Sequence, residues 1–218
     1  MQAASSASRI RLVALYLIAA LLAFAAFIAL GRDVVASGEP GAFVPLEQSA
    51  FDHSTLVAWW LTWACYPAVL IPICIVLSIL AWRFPAWRAR LLLSLVSLLV
   101  SWRAADLFQH VFERARPLQW VVKHETSFSY PSSHAAIVAG FYLLWAALLY
   151  TSDLPARTRA AGSVLLALFA IAVCWSRLAL GAHYLTDLIG GVLLGSAVAC
   201  VTLAVLAAGR GRLSAAAE

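Results

Sequence analysis

The sequence predicts an all-α fold, a polytopic membrane bundle of six transmembrane helices that forms one integral-membrane domain over residues 1–218. The chain is 64% hydrophobic and only 11% charged, whereas soluble domains carry about 25% charged residues. It also contains six apolar runs, and most of them approach the roughly 20 residues that a helix needs to cross a bilayer. The mean hydropathy of +0.91 agrees with this class of protein.

The six runs can be placed one by one. They lie at Leu12–Leu30, Leu56–Trp82, Leu91–Phe112, Ala135–Tyr150, Ala160–Leu180 and Leu185–Ala208. Pro67 and Pro72 predict a kink in the second run, because proline removes a helix hydrogen bond. The fourth run is short, and we extend it back to Ser133. In the last run Gly191 and Gly195 form a GxxxG pattern, which favours close helix packing.

The distribution of arginine along the loops predicts the orientation. Arginines flank alternate ends of the spans: Arg9, Arg11, Arg83, Arg88, Arg90, Arg157, Arg159, Arg210 and Arg212. The loop after the first span is acidic instead, with Asp33, Glu39, Glu47 and Asp52. By the positive-inside rule, both termini lie in the cytoplasm of a multi-pass plasma (inner) membrane protein. The net charge of +5 therefore reflects topology and does not indicate nucleic-acid binding.

With this topology, three polar clusters fall at the outer ends of the spans. They are FERARP (Phe112–Pro117), YPSSH (Tyr130–His134) and SRLALGAHYLTD (Ser176–Asp187). Ionisable groups are costly at bilayer depth and rarely occur there without a function. We therefore expect the three clusters to meet in one site that faces the outside or the periplasm.

The third cluster carries the residue types of a phosphoryl-transfer site. His183 and Asp187 are four positions apart, a spacing that places them on one face of a helix. The carboxylate can then hold one imidazole nitrogen and leave the other free to attack phosphorus. Arg177 and Arg116 offer guanidinium groups that match phosphate oxygens and neutralise their charge. We predict His183 as the nucleophile and Asp187 as the group that orients it.

The second cluster predicts the start of a helix that can bind an anion. Ser132 and Ser133 stand where a helix N-cap belongs, and the free N–H groups of a helix N-terminus favour a phosphate. His134 opens that helix and can protonate a leaving oxygen as a general acid. The sequence contains no spacing typical of a zinc site, and we expect neither a metal nor another cofactor.

These residues resemble the type-2 phosphatidic acid phosphatase superfamily, whose pattern is KxxxxxxRP, then PSGH, then SRxxxxxHxxxD. The third element matches in full, at Ser176, Arg177, His183 and Asp187. The second element matches from Pro131 to His134, except that Ser133 stands where the family has glycine. The resemblance covers a motif core of about residues 103–190, and the layout of six spans is also similar to the membrane branch of the family.

The first element of the pattern is incomplete. Arg116 and Pro117 match it, but Gln109 stands at the lysine position. Gln109 can still donate a hydrogen bond, although a neutral bond is weaker than a charge-assisted one. The resemblance implies that Arg116, Arg177, Ser132, Ser133 and the position of Gln109 hold the substrate phosphate.

Three other cations could supply the missing lysine charge. They are Arg103, Arg114 and Lys123. Arg103 and Asp106 lie three apart on the third helix, where we favour a structural ion pair over a role in the site. Arg114 and Lys123 are interpreted as surface charges that contact anionic lipids, although either could reach the site.

The resemblance implies a metal-independent lipid phosphatase that acts on a lipid of the bilayer. In the family, the histidine matching His183 forms a phosphohistidine, the histidine matching His134 protonates the leaving group, and water then releases phosphate. Undecaprenyl diphosphate is the favoured substrate, and phosphatidylglycerol phosphate, phosphatidic acid and lipid A stay open. Two alternatives are a lipid phosphotransferase with the same intermediate and a non-catalytic lipid-phosphate binder or carrier, which Gln109 motivates.

Overall fold

A computed structural model describes residues 6–51, 55–118 and 127–215, without the side chains of 55 and 210–215. Within these ranges the chain forms helices and no strand, which confirms the all-α prediction. The α-helices are α1 (Ser6–Ser37), α2 (Val44–Phe51), α3 (Thr55–Thr62), α4 (Pro67–Arg83), α5 (Arg88–Phe112), α6 (Ser133–Ile137), α7 (Leu144–Tyr150), α8 (Ala156–Ala179) and α9 (Leu185–Ala215). A π-helical segment, Val138–Leu143, joins α6 to α7.

The structure has five or six candidate membrane spans, and six were predicted. Among the described residues, five helices are long and apolar enough to cross a membrane, and the number is six if a bent helix pair is counted as one span. The bend of 44° lies between Leu56–Cys65 and Pro67–Arg83, where Tyr66 has an extended backbone. The proline that begins α4 cannot donate the hydrogen bond that would continue the preceding helix. The chain is thus a multi-pass membrane protein, and the predicted kink of the second span is confirmed.

The start of α9 packs directly against α6. A Cβ atom on Gly191 would lie 2.4 Å from the carbonyl oxygen of Ser132, and one on Gly195 would lie 2.2 Å from that of Ala136. Such distances leave room for glycine only. In addition, the N–H of Ser132 donates to the carbonyl of Asp187 at 3.0 Å. The close packing predicted from GxxxG is confirmed, and it joins the second polar cluster to the third.

An aromatic group fixes the loop that precedes α6. Tyr130 is fully buried, and its ring stacks on Phe27 of α1 with 5.5 Å between ring centroids. The Tyr130 hydroxyl donates to the carbonyl of Phe27 at 2.6 Å, and Phe112 at the end of α5 contacts the same ring edge-on. Helices α1 and α5 therefore hold the second polar cluster in place.

The acidic segment after the first span contains helical structure. Helix α1 continues past Asp33, and α2 includes Glu47. Ala50 of α2 packs with apolar residues of α8 and α9. This packing brings Glu39 and Glu47 to the first residues of α9, which they contact. Asp52 lies outside the described residues.

Candidate active site

His183 lies in a tight turn between α8 and α9. The turn contains Gly181, whose φ of 62° is left-handed, a conformation that residues with a Cβ rarely adopt. Helix α9 begins only at Leu185. The spacing of His183 and Asp187 predicted that they share one face of a helix, and this prediction is wrong because His183 precedes the helix. The turn before α9 brings the two side chains together instead.

Asp187 holds His183 through one of its two carboxylate oxygens. Oδ2 lies 3.4 Å from Nδ1 of His183, and it accepts hydrogen bonds from the hydroxyl of Ser129 and from the N–H of Tyr184. Oδ1 accepts from Nη1 of Arg114 at 2.5 Å. Asp187 is fully buried, and a buried carboxylate is stable only when such donors surround it. These donors also fix its rotation.

Arg116 faces the other nitrogen of His183. Nη1 of Arg116 lies 3.1 Å from Nε2 of the imidazole. A guanidinium can only donate, so Nε2 accepts and Nδ1 carries the proton that faces Asp187. Burial lowers the pKa of His183 to about 4, and the hydrogen bond to Asp187, which raises the pKa, does not outweigh burial. The imidazole is therefore neutral at neutral pH, with its lone pair on Nε2.

Backbone and hydroxyl groups hold Arg116 on two sides. Its Nε donates to the carbonyl of Ser127 at 2.7 Å, and its Nη2 donates to the hydroxyl of the same residue at 2.7 Å. Its Nη1 also donates to the carbonyl of Ala182 at 3.0 Å. These bonds join the first polar cluster to the third. They place the guanidinium beside His183, where a phosphate-binding cation was predicted.

Thr62 of α3 links Arg177 to His134. Arg177 is fully buried, and its Nη1 donates to the hydroxyl of Thr62 at 2.5 Å. Nε2 of His134 lies 3.2 Å from the carbonyl oxygen of Thr62 and 3.3 Å from its hydroxyl. Because a carbonyl can only accept, Nε2 of His134 carries a proton in this arrangement. One threonine thus connects the predicted general acid to the second arginine of the site.

Ser132 is the N-cap of α6, as predicted, and its hydroxyl accepts from the N–H of Ala135 at 3.5 Å. Gln109 is buried beside this turn. Its Nε2 donates to the carbonyl of Pro131 at 2.9 Å and to the hydroxyl of Ser133 at 3.1 Å. The two residues that depart from the family pattern, Gln109 and Ser133, therefore contact each other and brace the start of α6.

A cavity of about 540 Å³ leads to these residues from the side of the bundle. Its polar end is lined by Gln109, Ser127, Ser133 and His134. Its apolar end is formed by α4 and α5, with Leu70, Ile71, Leu98, Leu99 and Trp102 among the lining residues. Ile71 and Leu99 are more than half exposed on the outside of the bundle. The cavity thus connects the lipid-facing surface to the vicinity of His134.

The three cations considered as substitutes for the family lysine have different positions. Arg114 is 7% exposed and bonds to two carboxylates, so its interpretation as a surface charge is wrong. Arg103 is exposed and pairs with Asp106 at 3.7 Å, which confirms the structural ion pair. Lys123 lies outside the described residues.

Four residues that contact the site stand at none of the fixed positions of the family pattern. They are Glu39, Thr62, Ser129 and Thr186. Ser129 directly precedes YPSSH, and this position is the only feature of the sequence that points to a place in the site. Thr62 lies in an apolar run, which indicated only a membrane span. Glu39 lies in the acidic segment, which indicated only the orientation of the chain.

Residues 86–210 match the sequence model described as "PAP2 superfamily". The chain is 30% identical over 115 residues to "Putative undecaprenyl-diphosphatase YbjG" of Escherichia coli (strain K12), a match that covers 51% of this chain and 52% of that protein. It is 36% identical over 85 residues to "Phosphatidylglycerophosphatase B" of Bacillus subtilis (strain 168), covering 38% of this chain and 41% of that protein. The matched segments thus span about half of the length of these relatives or less.

A solved structure has a similar fold. It is the "Crystal structure of the first transmembrane PAP2 type phosphatidylglycerolphosphate phosphatase from Bacillus subtilis". The TM-score is 0.69, and the alignment covers 88% of this chain and 96% of that chain at 23% sequence identity. At that identity the likeness supports the fold, and it agrees with the transmembrane helix bundle described above.

Proposed function

We propose that this chain, which belongs to the PAP2 superfamily, is a membrane phosphatase that acts on a lipid phosphate or lipid diphosphate. The proposal rests on the neutral imidazole of His183, held by Asp187 on one nitrogen and faced by Arg116 on the other. A nucleophile in this state needs no deprotonation before it attacks. The cavity beside the site opens on the lipid-facing surface, where the tail of a lipid substrate lies.

In the first step, Nε2 of His183 attacks the phosphorus atom. An N–P bond forms, the bond from phosphorus to the leaving oxygen breaks, and His134, in its imidazolium form with both ring nitrogens protonated, gives one proton to that oxygen and becomes neutral. Asp187 accepts the hydrogen bond from Nδ1–H as the imidazole becomes positive. Arg116 and Arg177 neutralise the phosphoryl oxygens as charge spreads over them. The lipid alcohol, or the lipid monophosphate when the substrate is a diphosphate, then leaves.

In the second step, water attacks the phosphohistidine. His134, which has lost its proton, accepts one from the water, and the N–P bond breaks. Inorganic phosphate leaves and His183 is neutral again. Ser132, Ser133 and Gln109 shape the phosphate subsite in this proposal, since their hydrogen bonds define the turn beside His134.

Undecaprenyl diphosphate is the substrate that we favour. The relative with the longer match carries the name "Putative undecaprenyl-diphosphatase YbjG", and the apolar part of the cavity suits a hydrocarbon tail. Phosphatidylglycerol phosphate, phosphatidic acid and lipid A share the same reacting group and belong in the same assay. A lipid hydroxyl in place of water would make the chain a phosphotransferase.

We also propose that the site faces the outside and that both termini lie in the cytoplasm. Helix α5 begins at Arg88 in one arginine-rich loop and ends where FERARP begins. Helix α8 begins beside Arg157 and ends beside Arg177. The site therefore lies at the end of the bundle opposite to the arginine-rich loops, which the positive-inside rule assigns to the cytoplasm.

Phosphate release from purified lipids tests the proposed activity. The reconstituted chain is given each candidate lipid, with and without EDTA and with and without an acceptor lipid. We expect EDTA to have no effect, His183→Ala to abolish turnover, and His134→Ala to lower it by roughly 10²–10⁴-fold. His110→Ala, an exposed histidine outside the motifs, is the control. Normal turnover by His183→Ala, or no acid-labile phosphate on His183, would contradict the mechanism.

A further inference from the structure

Arg114 lies buried between two carboxylates at the outer end of the bundle. Its Nη1 donates to Oδ1 of Asp187 at 2.5 Å and to the hydroxyl of Thr186 at 2.7 Å, and its Nη2 donates to Oε2 of Glu39 at 2.8 Å. The guanidinium also lies 4.4 Å from the ring centroid of Tyr184. One planar cation thus binds two carboxylates at once, a geometry that the single ammonium of lysine does not reproduce.

Glu39 connects Arg114 to the start of α9. Its Oε1 accepts from the N–H of Thr186 at 3.3 Å, and its Oε2 accepts from the hydroxyl of the same residue. Glu47 accepts from the N–H of Leu185 at 2.6 Å. The first N–H groups of a helix have no partner within the helix, and negative charge is favourable beside them. A segment that precedes the family-matched residues 86–210 therefore caps the helix that carries the predicted orienting carboxylate.

The three charges depend on one another because they are buried. The side chains of Arg114 and Glu39 are each 7% exposed, and that of Asp187 is fully buried. Burial alone lowers the pKa of Arg114, but the adjacent charges of Asp187 and Glu39 outweigh burial and raise it. Arg114 is therefore charged at every physiological pH. Because it binds Oδ1 of Asp187, it leaves Oδ2 to face His183.

We propose that Arg114 and Glu39 are positioning residues for the nucleophile. Arg114 fixes the rotation of the Asp187 carboxylate, and Glu39 fixes Arg114. Both act on His183 through Asp187, and the inference rests on the proposed role of His183 as the nucleophile. It extends the functional part of the chain to a segment outside the family motifs, since Glu39 lies far upstream of FERARP.

The test compares Arg114→Lys with the double variant Arg114→Met/Glu39→Gln in the full-length reconstituted protein. Arg114→Met alone leaves two buried carboxylates without their cation and can fail to fold; the double variant removes one charge of each sign. We expect kcat to fall about ten- to a hundredfold in both, because small misplacements of a reacting group cost about that much. KM should stay unchanged, since the proposal gives neither residue a contact with substrate.

A second readout does not depend on the substrate. Diethyl pyrocarbonate modifies imidazole, and mass spectrometry of the His183 peptide gives the rate at this residue. We expect slower modification of His183 in both Arg114 variants, approaching the rate in Asp187→Asn, because an imidazole that its carboxylate no longer holds is a weaker nucleophile. Arg32→Met and Asp33→Asn, which change two exposed charged residues outside the three clusters, are the matched controls and should behave like the parent.

The outcomes separate the inference from the proposed function. If the parent releases phosphate and Arg114→Lys equals it in kcat and in His183 modification, the inference is wrong. A lower Tm with unchanged modification of His183 also overturns it, because the role is then only structural. If the parent releases no phosphate from any lipid, the proposed function fails, and the modification rate of His183 still decides whether Arg114 holds the imidazole.

Discussion

Gln109 is the position where one added charge tests the phosphate subsite most directly. It is 3% exposed and lines the polar end of the cavity together with Ser133 and His134. Its amide donates to the carbonyl of Pro131 and to Ser133 but carries no charge. A lysine could keep one of these donations and bring an ammonium beside the substrate phosphate. Gln109→Lys is therefore expected to tighten the binding of phosphate and of vanadate.

The magnitude follows from the change in hydrogen-bond type and from burial. A hydrogen bond to a charged group contributes roughly 1.5–3 kcal/mol, which corresponds to about a ten- to a hundredfold change in affinity. In the free protein the same ammonium occupies a position that is 3% exposed, and burying a charge without a counter-ion is unfavourable by several kcal/mol. The variant should therefore unfold at a lower Tm without ligand and regain stability when phosphate binds.

Two measurements check this prediction. Inhibition of lipid hydrolysis by phosphate and vanadate gives their affinities, and thermal unfolding with and without phosphate gives the stability that each ligand adds. Gln109→Met is the matched control, because it has a similar volume but neither donor nor charge, and it should weaken activity by releasing the turn at Pro131. An unchanged phosphate affinity and an unchanged Tm in Gln109→Lys would refute the placement of the substrate phosphate beside Gln109.

Three further predictions concern other parts of the molecule. Burial lowers the pKa of His183 to about 4. Because only the neutral imidazole attacks, kcat/KM should fall as the pH drops through about 4. A fall of kcat/KM already near the ordinary imidazole pKa of 6.5 would contradict the burial argument. Gly191→Ala places a Cβ atom 2.4 Å from a backbone oxygen of α6 and should destabilise the protein by about 1–3 kcal/mol in thermal unfolding, whereas Gly209→Ala, where a Cβ meets nothing within 4 Å, should be close to neutral. A membrane-impermeant thiol reagent added outside should label Glu113→Cys and not Arg88→Cys; the opposite pattern would move the site to the other leaflet.

Sequence reasoning predicted the fold class and the meeting of the three clusters because both depend on local features. Apolar length determines which segments can span a membrane, and Pro67 and Pro72 predicted a kink in the second span, which the structure places directly before Pro67. The spacing of His183 and Asp187 also predicted that their side chains are neighbours. It did not predict how they are brought together, because a turn with a left-handed residue, Gly181, takes the place of the shared helix face.

The contacts that sequence reasoning missed join distant segments of the chain. Thr62 is an ordinary polar residue in an apolar span until the bundle places it between Arg177 and His134. In the sequence, Glu39 is one of several acids in the loop after the first span. In the structure, the packing of α2 on α8 places this loop beside α9, where Glu39 accepts from the N–H of Thr186. Such roles depend on tertiary packing, which neither periodicity nor spacing specifies.

The hydrogen bond between Arg116 and Nε2 of His183 has a consequence for which compounds can react. In the free protein the lone pair of the imidazole is already engaged by the guanidinium. A phosphate anion competes with the imidazole for that guanidinium, so its arrival frees the nucleophile that it requires. An uncharged electrophile offers no such exchange and meets a nitrogen that is still occupied. In the proposed mechanism, Arg116 therefore blocks Nε2 of His183 until a phosphate binds the guanidinium. Discrimination against neutral compounds begins before any covalent bond forms.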